Sequence, residues 1–126
     1  MPMQLDIVSI VKTRDDSINY RNLVFIFRAA DVLDLDGAAD LLAVCGAFID
    51  GGALKILIDM EGLDFIDSSG IGAIISIAKR VRANKGDIAL MRIPERIEQV
   101  IRPVNLMRFI NTCASLDDAL KFFRFS

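Results

Sequence analysis

A chain of 126 residues, 53% hydrophobic and 25% charged, has the length of one domain and the apolar content of a packed core, which excludes a disordered segment. Its formal net charge of −2 and pI near 5.0 supply no positive field for nucleic acid or an anionic membrane, so neither is an expected partner. Histidine is absent from the sequence, which removes Ser-His-Asp and Cys-His catalysis, His-dependent zinc sites and the commonest general base.

A single domain over residues 1–126 is expected, with no linker, repeat or low-complexity tract. The sequence shows neither a signal-peptide pattern nor an apolar run of bilayer length, so a cytoplasmic protein without membrane insertion is expected. Cys45 and Cys113 are far apart, lack CxxC spacing and sit among apolar neighbours, as small core residues do.

Leu5 to Lys12 carries the β-branched pairs Ile7-Val8 and Ile10-Val11, and Leu23 to Phe27 is a second strand-like run. With Asp15-Asp16-Ser17 as the turn, they read as an opening β-hairpin. Leu35 to Ile49 places Leu35, Ala38, Ala39, Leu42, Cys45 and Ala47 to Ile49 near helical spacing, with Gly51-Gly52 as the stop. Leu54 to Met60 is an apolar run of strand length, suited to the middle of a sheet.

A loop from Glu61 to Ser68 then leads into a helix whose inward face is Ile71, Ile74, Ile75, Ala78 and Val81, closed by Asn84-Lys85-Gly86. Ile88 to Met91 is the next strand. Pro94 suits the first turn of a helix bearing Ile97, Val100 and Ile101, and Pro103 marks its end. A brief Phe109-Ile110 strand precedes a last helix capped by Ser115, with Asp117 and Asp118 in its first turn and Leu116, Ala119, Leu120 and Phe123 inward. The basic groups Lys79-Arg80-Val81-Arg82 and Arg92, Arg96 and Arg102 read as solvated faces. The order predicts an α/β protein with parallel neighbouring strands.

The turn Asp67-Ser68-Ser69-Gly70 falls beyond the carboxyl end of the central strand, where open α/β sheets carry their functional surfaces. Ser68 is the expected N-cap, its oxygen accepting from the N–H of Gly70 or Ile71. Ser69 is then the first helical residue, its hydroxyl free for modification beside Gly70, Gly72 and Ala73. A phosphoryl group there would bring about −1.5 to −2 charges to a helix end that favours anions, opposed by the acidic loop Glu61 to Asp67. A partner could pack closely on the small residues, with Leu63 or Phe65 exposed as an anchor. Short Asx/Ser/Gly strings are most often plain capping turns.

The wider string Leu57-Ile58-Asp59-Met60-Glu61-Gly62-Leu63-Asp64-Phe65-Ile66-Asp67-Ser68-Ser69-Gly70-Ile71-Gly72 resembles the strand, loop and helix start of the STAS family, which includes the anti-sigma factor antagonists. The likeness continues through Arg82 to Leu90 and Pro94 to Phe109. It implies a STAS-like mixed β-sheet with an opening hairpin, followed by alternating helices and parallel strands. It further implies that Ser69 is the phosphoacceptor of a GHKL-type anti-sigma factor serine kinase, and that a PP2C-type phosphatase reverses the modification. The unmodified form would bind that kinase and free the sigma factor. No catalytic residue, metal or cofactor is implied, and the expected state is a monomer or weak homodimer. Partner contacts fall on Asp67, Ser68, Ser69, Gly70, Gly72, Ala73, Leu63 and Phe65, with Asp31 and Asp34 at the rim. Family members follow their second strand with glycine, an acidic residue, a hydrophobic residue and aspartate; here Ala29-Ala30-Asp31-Val32-Leu33-Asp34 lacks the glycine and is one residue longer.

Two alternatives stand beside this reading. One keeps the fold as a constitutive scaffold subunit of a signalling assembly. The other notes that Val32 to Ala38 looks like the nucleophile motif of haloacid-dehalogenase-type phosphatases, with Asp34 and Asp36 attacking phosphate and holding Mg²⁺. Ser68 or Ser69 would imitate that family's second-motif hydroxyl and Asp117-Asp118 its late acidic pair; against it, Arg28-Ala29-Ala30-Asp31 interrupts the strand leading to Asp34, no strand immediately precedes Asp117-Asp118, and helix capping explains Asp34 and Asp36.

Overall fold

A computed structural model describes residues 3–10 and 20–124, Tyr20 by its backbone alone. Five strands, β1 (Met3–Ser9), β2 (Leu23–Leu33), β3 (Lys55–Ile66), β4 (Asp87–Met91) and β5 (Asn111–Cys113), form one sheet in sequence order. β1 runs antiparallel to β2, and β2 to β5 are parallel. The helices are α1 (Leu35–Asp50), α2 (Ser68–Ala83), α3 (Glu95–Ile101), α4 (Leu106–Phe109) and α5 (Leu116–Arg124). The expected turn at Asp15-Asp16-Ser17 lies outside the described residues.

Strand periodicity sends alternate side chains to opposite faces. Phe25, Phe27, Ile56, Ile58, Ile88 and Leu90 join buried residues of α1 to α4, including Leu41, Ile74, Ile77, Ile97 and Leu106, in one apolar layer. Val24, Ile26, Leu57, Ala89 and Met91 join Ala119 and Phe123 of α5 on the opposite side. Both faces of the central strands are therefore buried, which is why they read as continuous apolar runs. Full burial of each large side chain contributes roughly 1.5–3 kcal/mol. α5 rests on β4 and β5.

Two strands are longer than the hydrophobic runs predict. β2 continues through Arg28-Ala29-Ala30-Asp31 to Leu33, and β3 through Glu61 to Ile66, so that the expected acidic loop is strand. Pairing shifts register between Arg28 and Ala30 and between Asp31 and Val32, and Asp31 adopts φ 62°. Such bulges admit polar residues mid-strand and break simple alternation.

Other corrections follow from packing. The inward face of α1 is Gly37, Ala38, Leu41, Cys45, Gly46 and Ile49, whereas Leu35 is 71% exposed. Arg80 lies over Gly46 and reaches Asp50, which holds α2 against α1. Ile77 is buried on α2 where Ile75 is only half-buried, and Val100 on α3 is exposed. Phe109-Ile110 is not a strand: Phe109 ends α4, and Ile110 is a buried extended residue before β5.

Cys45 is fully buried, and desolvation pushes its thiol up to about 12. Cys113 is half-buried and also raised, by burial first and then by Asp118. Among the described residues no helix is long and apolar enough to cross a membrane.

Candidate functional site

β2 and β3 end side by side, Val32 opposite Phe65 and Leu33 opposite Ile66, and each leads into an aspartate that caps the next helix. Asp34 is the extended N-cap of α1, accepting from Gly37 N–H at 3.1 Å. Asp67 is the extended N-cap of α2, its Oδ1 accepting from Ser69 N–H at 2.9 Å and Gly70 N–H at 3.2 Å. The Asp67 N–H donates to the Leu33 carbonyl at 3.3 Å, so the two helix starts are joined through the backbone.

The expected cap at Ser68 is thus displaced by one residue. A carboxylate outcompetes a hydroxyl for helix-end amides because the bond is charge-assisted and complements the helix dipole. Ser68 becomes the first residue of α2 and is exposed; Ser69 becomes the second and is half-buried.

The residues expected at the partner surface divide. Ser68, Phe65 and Gly72 are exposed, and a Cβ at Gly72 would meet nothing within 4 Å. Leu63, expected as an exposed anchor, is fully buried: the register shift that pairs Asp31 with Leu63 but Val32 with Phe65 leaves Asp64 as an extra residue and breaks the alternation, so Leu63 and Ile66 are buried while Asp64 and Phe65 are exposed. Gly70 and Ala73 are also buried, on the core side of α2. At Gly70 a Cβ would approach the Leu33 carbonyl oxygen to 2.5 Å and Ile66 Cγ1 to 2.8 Å, so the missing side chain serves internal packing. Asp31 is exposed, and Asp34 is engaged in its cap.

Val32, 39% exposed, and Leu35, 71% exposed, join Phe65, 48% exposed, at this end of the sheet. Neither is legible as exposed from the sequence, where Val32 lies beyond the second strand-like run and Leu35 falls among the apolar positions at helical spacing.

The acidic segment is largely compensated. Arg96 pairs with Asp64 and donates to the Leu63 carbonyl at 3.4 Å, tying α3 to β3. Arg92 lies 3.2 Å from Glu61 and 2.8 Å from the buried Asp59. Repulsion of an added phosphoryl group by Glu61 and Asp64 is thereby weakened, and the anion nearest the serines is Asp67 itself.

For the phosphatase alternative, β2 does continue to Leu33, with bulges rather than a break at the segment expected to interrupt it. The carboxylates have other tasks: Asp34 is bonded within its cap, and Asp36, Asp117 and Asp118 lie in first helical turns. Among the described residues no group of three His, Cys, Asp or Glu side chains could hold a metal ion.

The STAS domain model matches residues 9–119. A Thermotoga neapolitana protein, a candidate anti-sigma factor antagonist by name, is 34% identical over 74 residues, 59% of this chain. The chain spans 66% of that relative's length, and the same share of a similarly named Thermotoga maritima protein. A crystal structure of a candidate anti-sigma factor antagonist from Thermotoga maritima superposes with a TM-score of 0.75 at 26% identity, covering 80% of this chain and 87% of that one. The anti-sigma factor antagonist SpoIIAA of Bacillus, in its unphosphorylated form, gives a TM-score of 0.67 at 22% identity over 98% of each chain, a likeness of fold.

Proposed function

Because this chain belongs to the STAS domain family, we propose that it is an anti-sigma factor antagonist whose protein binding is switched by phosphorylation of Ser69. The observation that carries this reading is the Asp67-capped start of α2. Ser68 and Ser69 there stand beside the open position at Gly72, at the sheet end that also exposes Val32, Leu35 and Phe65.

In the unmodified state the apolar side chains anchor an anti-sigma factor kinase of the GHKL type, and the open position at Gly72 lets its backbone approach closely. A phosphoryl group adds about −1.5 to −2 charges at a helix end whose amides already serve Asp67, so it projects outward and the domain stays folded. Burying that charge in the complex without a partner costs several kcal/mol, and each ~1.4 kcal/mol weakens binding tenfold. A PP2C-type phosphatase resets the surface. No catalytic residue of this chain takes part.

The test is phosphorylation by an extract of the source cells with ATP, mapped by mass spectrometry. Modification of the wild type and of Ser68→Ala, and none of Ser69→Ala, is the expected result. Labelling confined to Ser68, or none at all, overturns the assignment and favours a constitutive scaffold.

A further inference from the structure

Leu106 of α4 is buried, and so is Ile110, where the chain leaves the helix as extended backbone at φ −128° and ψ 134°. With both anchored in the core, Phe109 is left 64% exposed. It borders a groove of about 160 Å³ between α4 and α2, lined also by Ile75, Ala78, Lys79, Arg82 and Ile110. Residues 75, 78, 79 and 82 recur at helical spacing and share one face of α2, where the short side chain of Ala78 leaves the depression.

Size decides what fills it. Small-molecule pockets hold roughly 300–1,000 Å³, whereas this groove has room for one large apolar side chain, the usual anchor of a protein contact. Phe109 loses its exposed apolar area only when a partner covers it.

Charge selects the partner. α2 and the chain from Arg102 to Thr112 carry the basic residues Lys79, Arg80, Arg82, Arg102 and Arg108 and no acidic one. Asp50 pairs with Arg80, Asp87 with Arg82 and Glu98 with Arg102. Lys79 and Arg108 are exposed and form no ion pair among the described residues. The α2 dipole offsets roughly half an elementary charge at this end, less than these two cations carry. With a net charge of −2 the chain has no wider positive field to make this a nucleic-acid or membrane surface.

We propose that the groove between α2 and α4 docks an acidic protein segment, which inserts one leucine, isoleucine or phenylalanine side chain against Phe109 and Ala78. Its carboxylates meet Lys79 and Arg108. Lys79 follows Ser69 by ten residues, about 15 Å along α2, and charges are screened within about 8 Å at physiological salt, so docking here is independent of the charge at Ser69.

The experiment is selection of a phage-displayed library of random peptides on the immobilised full chain, after subtraction of the library on Phe109→Ala, whose exposed position keeps the core intact. Enriched peptides are synthesised and their affinities measured by fluorescence anisotropy. Sequences with a large apolar residue flanked by aspartate or glutamate are expected, bound roughly tenfold more weakly by Phe109→Ala and roughly fivefold more weakly by Lys79→Glu. Ser69→Asp should bind them as tightly as the wild type does, so this site and the Ser69 switch can each fail with the other intact. Three outcomes overturn the proposal: no peptide enriched after subtraction, enriched peptides without acidic residues, or peptides whose binding is lost in Ser69→Asp.

Discussion

Gly70 on α2 sits so close to the backbone carbonyl of Leu33 at the end of β2 that a Cβ would come within 2.5 Å of the oxygen. The helix that carries Ser69 is therefore seated on the strand that carries Val32, and the two parts of the proposed binding surface form a rigid unit.

Opposite effects are expected at the two glycines of this helix start. Gly70→Ala should lower stability by about 1–3 kcal/mol, through overpacking against Leu33 and Ile66. Gly72→Ala meets open space and should raise stability by up to ~1 kcal/mol through helix propensity, while weakening partner binding. Urea denaturation measures both.

Removing the caps should cost about 0.5–2 kcal/mol in Asp67→Ala and in Asp34→Ala. Ser68→Ala should change stability by no more than ~0.5 kcal/mol, since Ser68 is exposed and is not the cap. A larger loss in Ser68→Ala than in Asp67→Ala would reverse the assignment of the cap.

Ion pairs at the strand ends should differ sharply in worth. Asp59→Ala removes the buried carboxylate shared by Arg28 and Arg92, which are part-exposed and keep Asp6 and Glu61, and should cost about 1.5–3 kcal/mol. Asp64→Ala removes an exposed pair with Arg96 and should cost less than ~1 kcal/mol. Thermal unfolding of the two variants makes the comparison.

Cys45 should govern part of the alkaline limb of stability. Its thiol ionises near 9.0 in the unfolded chain and near 12 in the fold, so only the unfolded state gains from deprotonation between those values. Its contribution is complete below pH ~9 and is lost as pH rises toward 12. Cys45→Ala should flatten that decline, and native Cys113 should react with iodoacetamide far faster than Cys45.

Sequence reading recovered the elements whose pattern reports burial directly. Ile56 to Ile58 and Ile88 to Leu90 face helices on both sides and read as unbroken apolar runs. It stopped short where bulges carry β2 and β3 through Arg28, Asp31, Glu61 and Asp64, because each of those side chains finds solvent or an ion pair that local hydropathy does not show. Ser and Asp are near-equal caps by propensity, so the sequence does not choose between Asp67 and Ser68, and only the backbone geometry decides. Arg28, Asp59 and Arg92 are brought together by strand order alone. The one signal of their meeting was a carboxylate, Asp59, inside a run otherwise fit for burial.

The most direct test of the phosphorylation switch is a pull-down from lysate of the source cells with wild-type protein and Ser69→Asp, the bound proteins being identified by mass spectrometry. The substitution carries about half the charge of a phosphoryl group, enough to burden a buried contact. A GHKL-type kinase retained by the wild type and lost by Ser69→Asp is the expected result. The same partners bound equally to both proteins would contradict a regulatory role for Ser69.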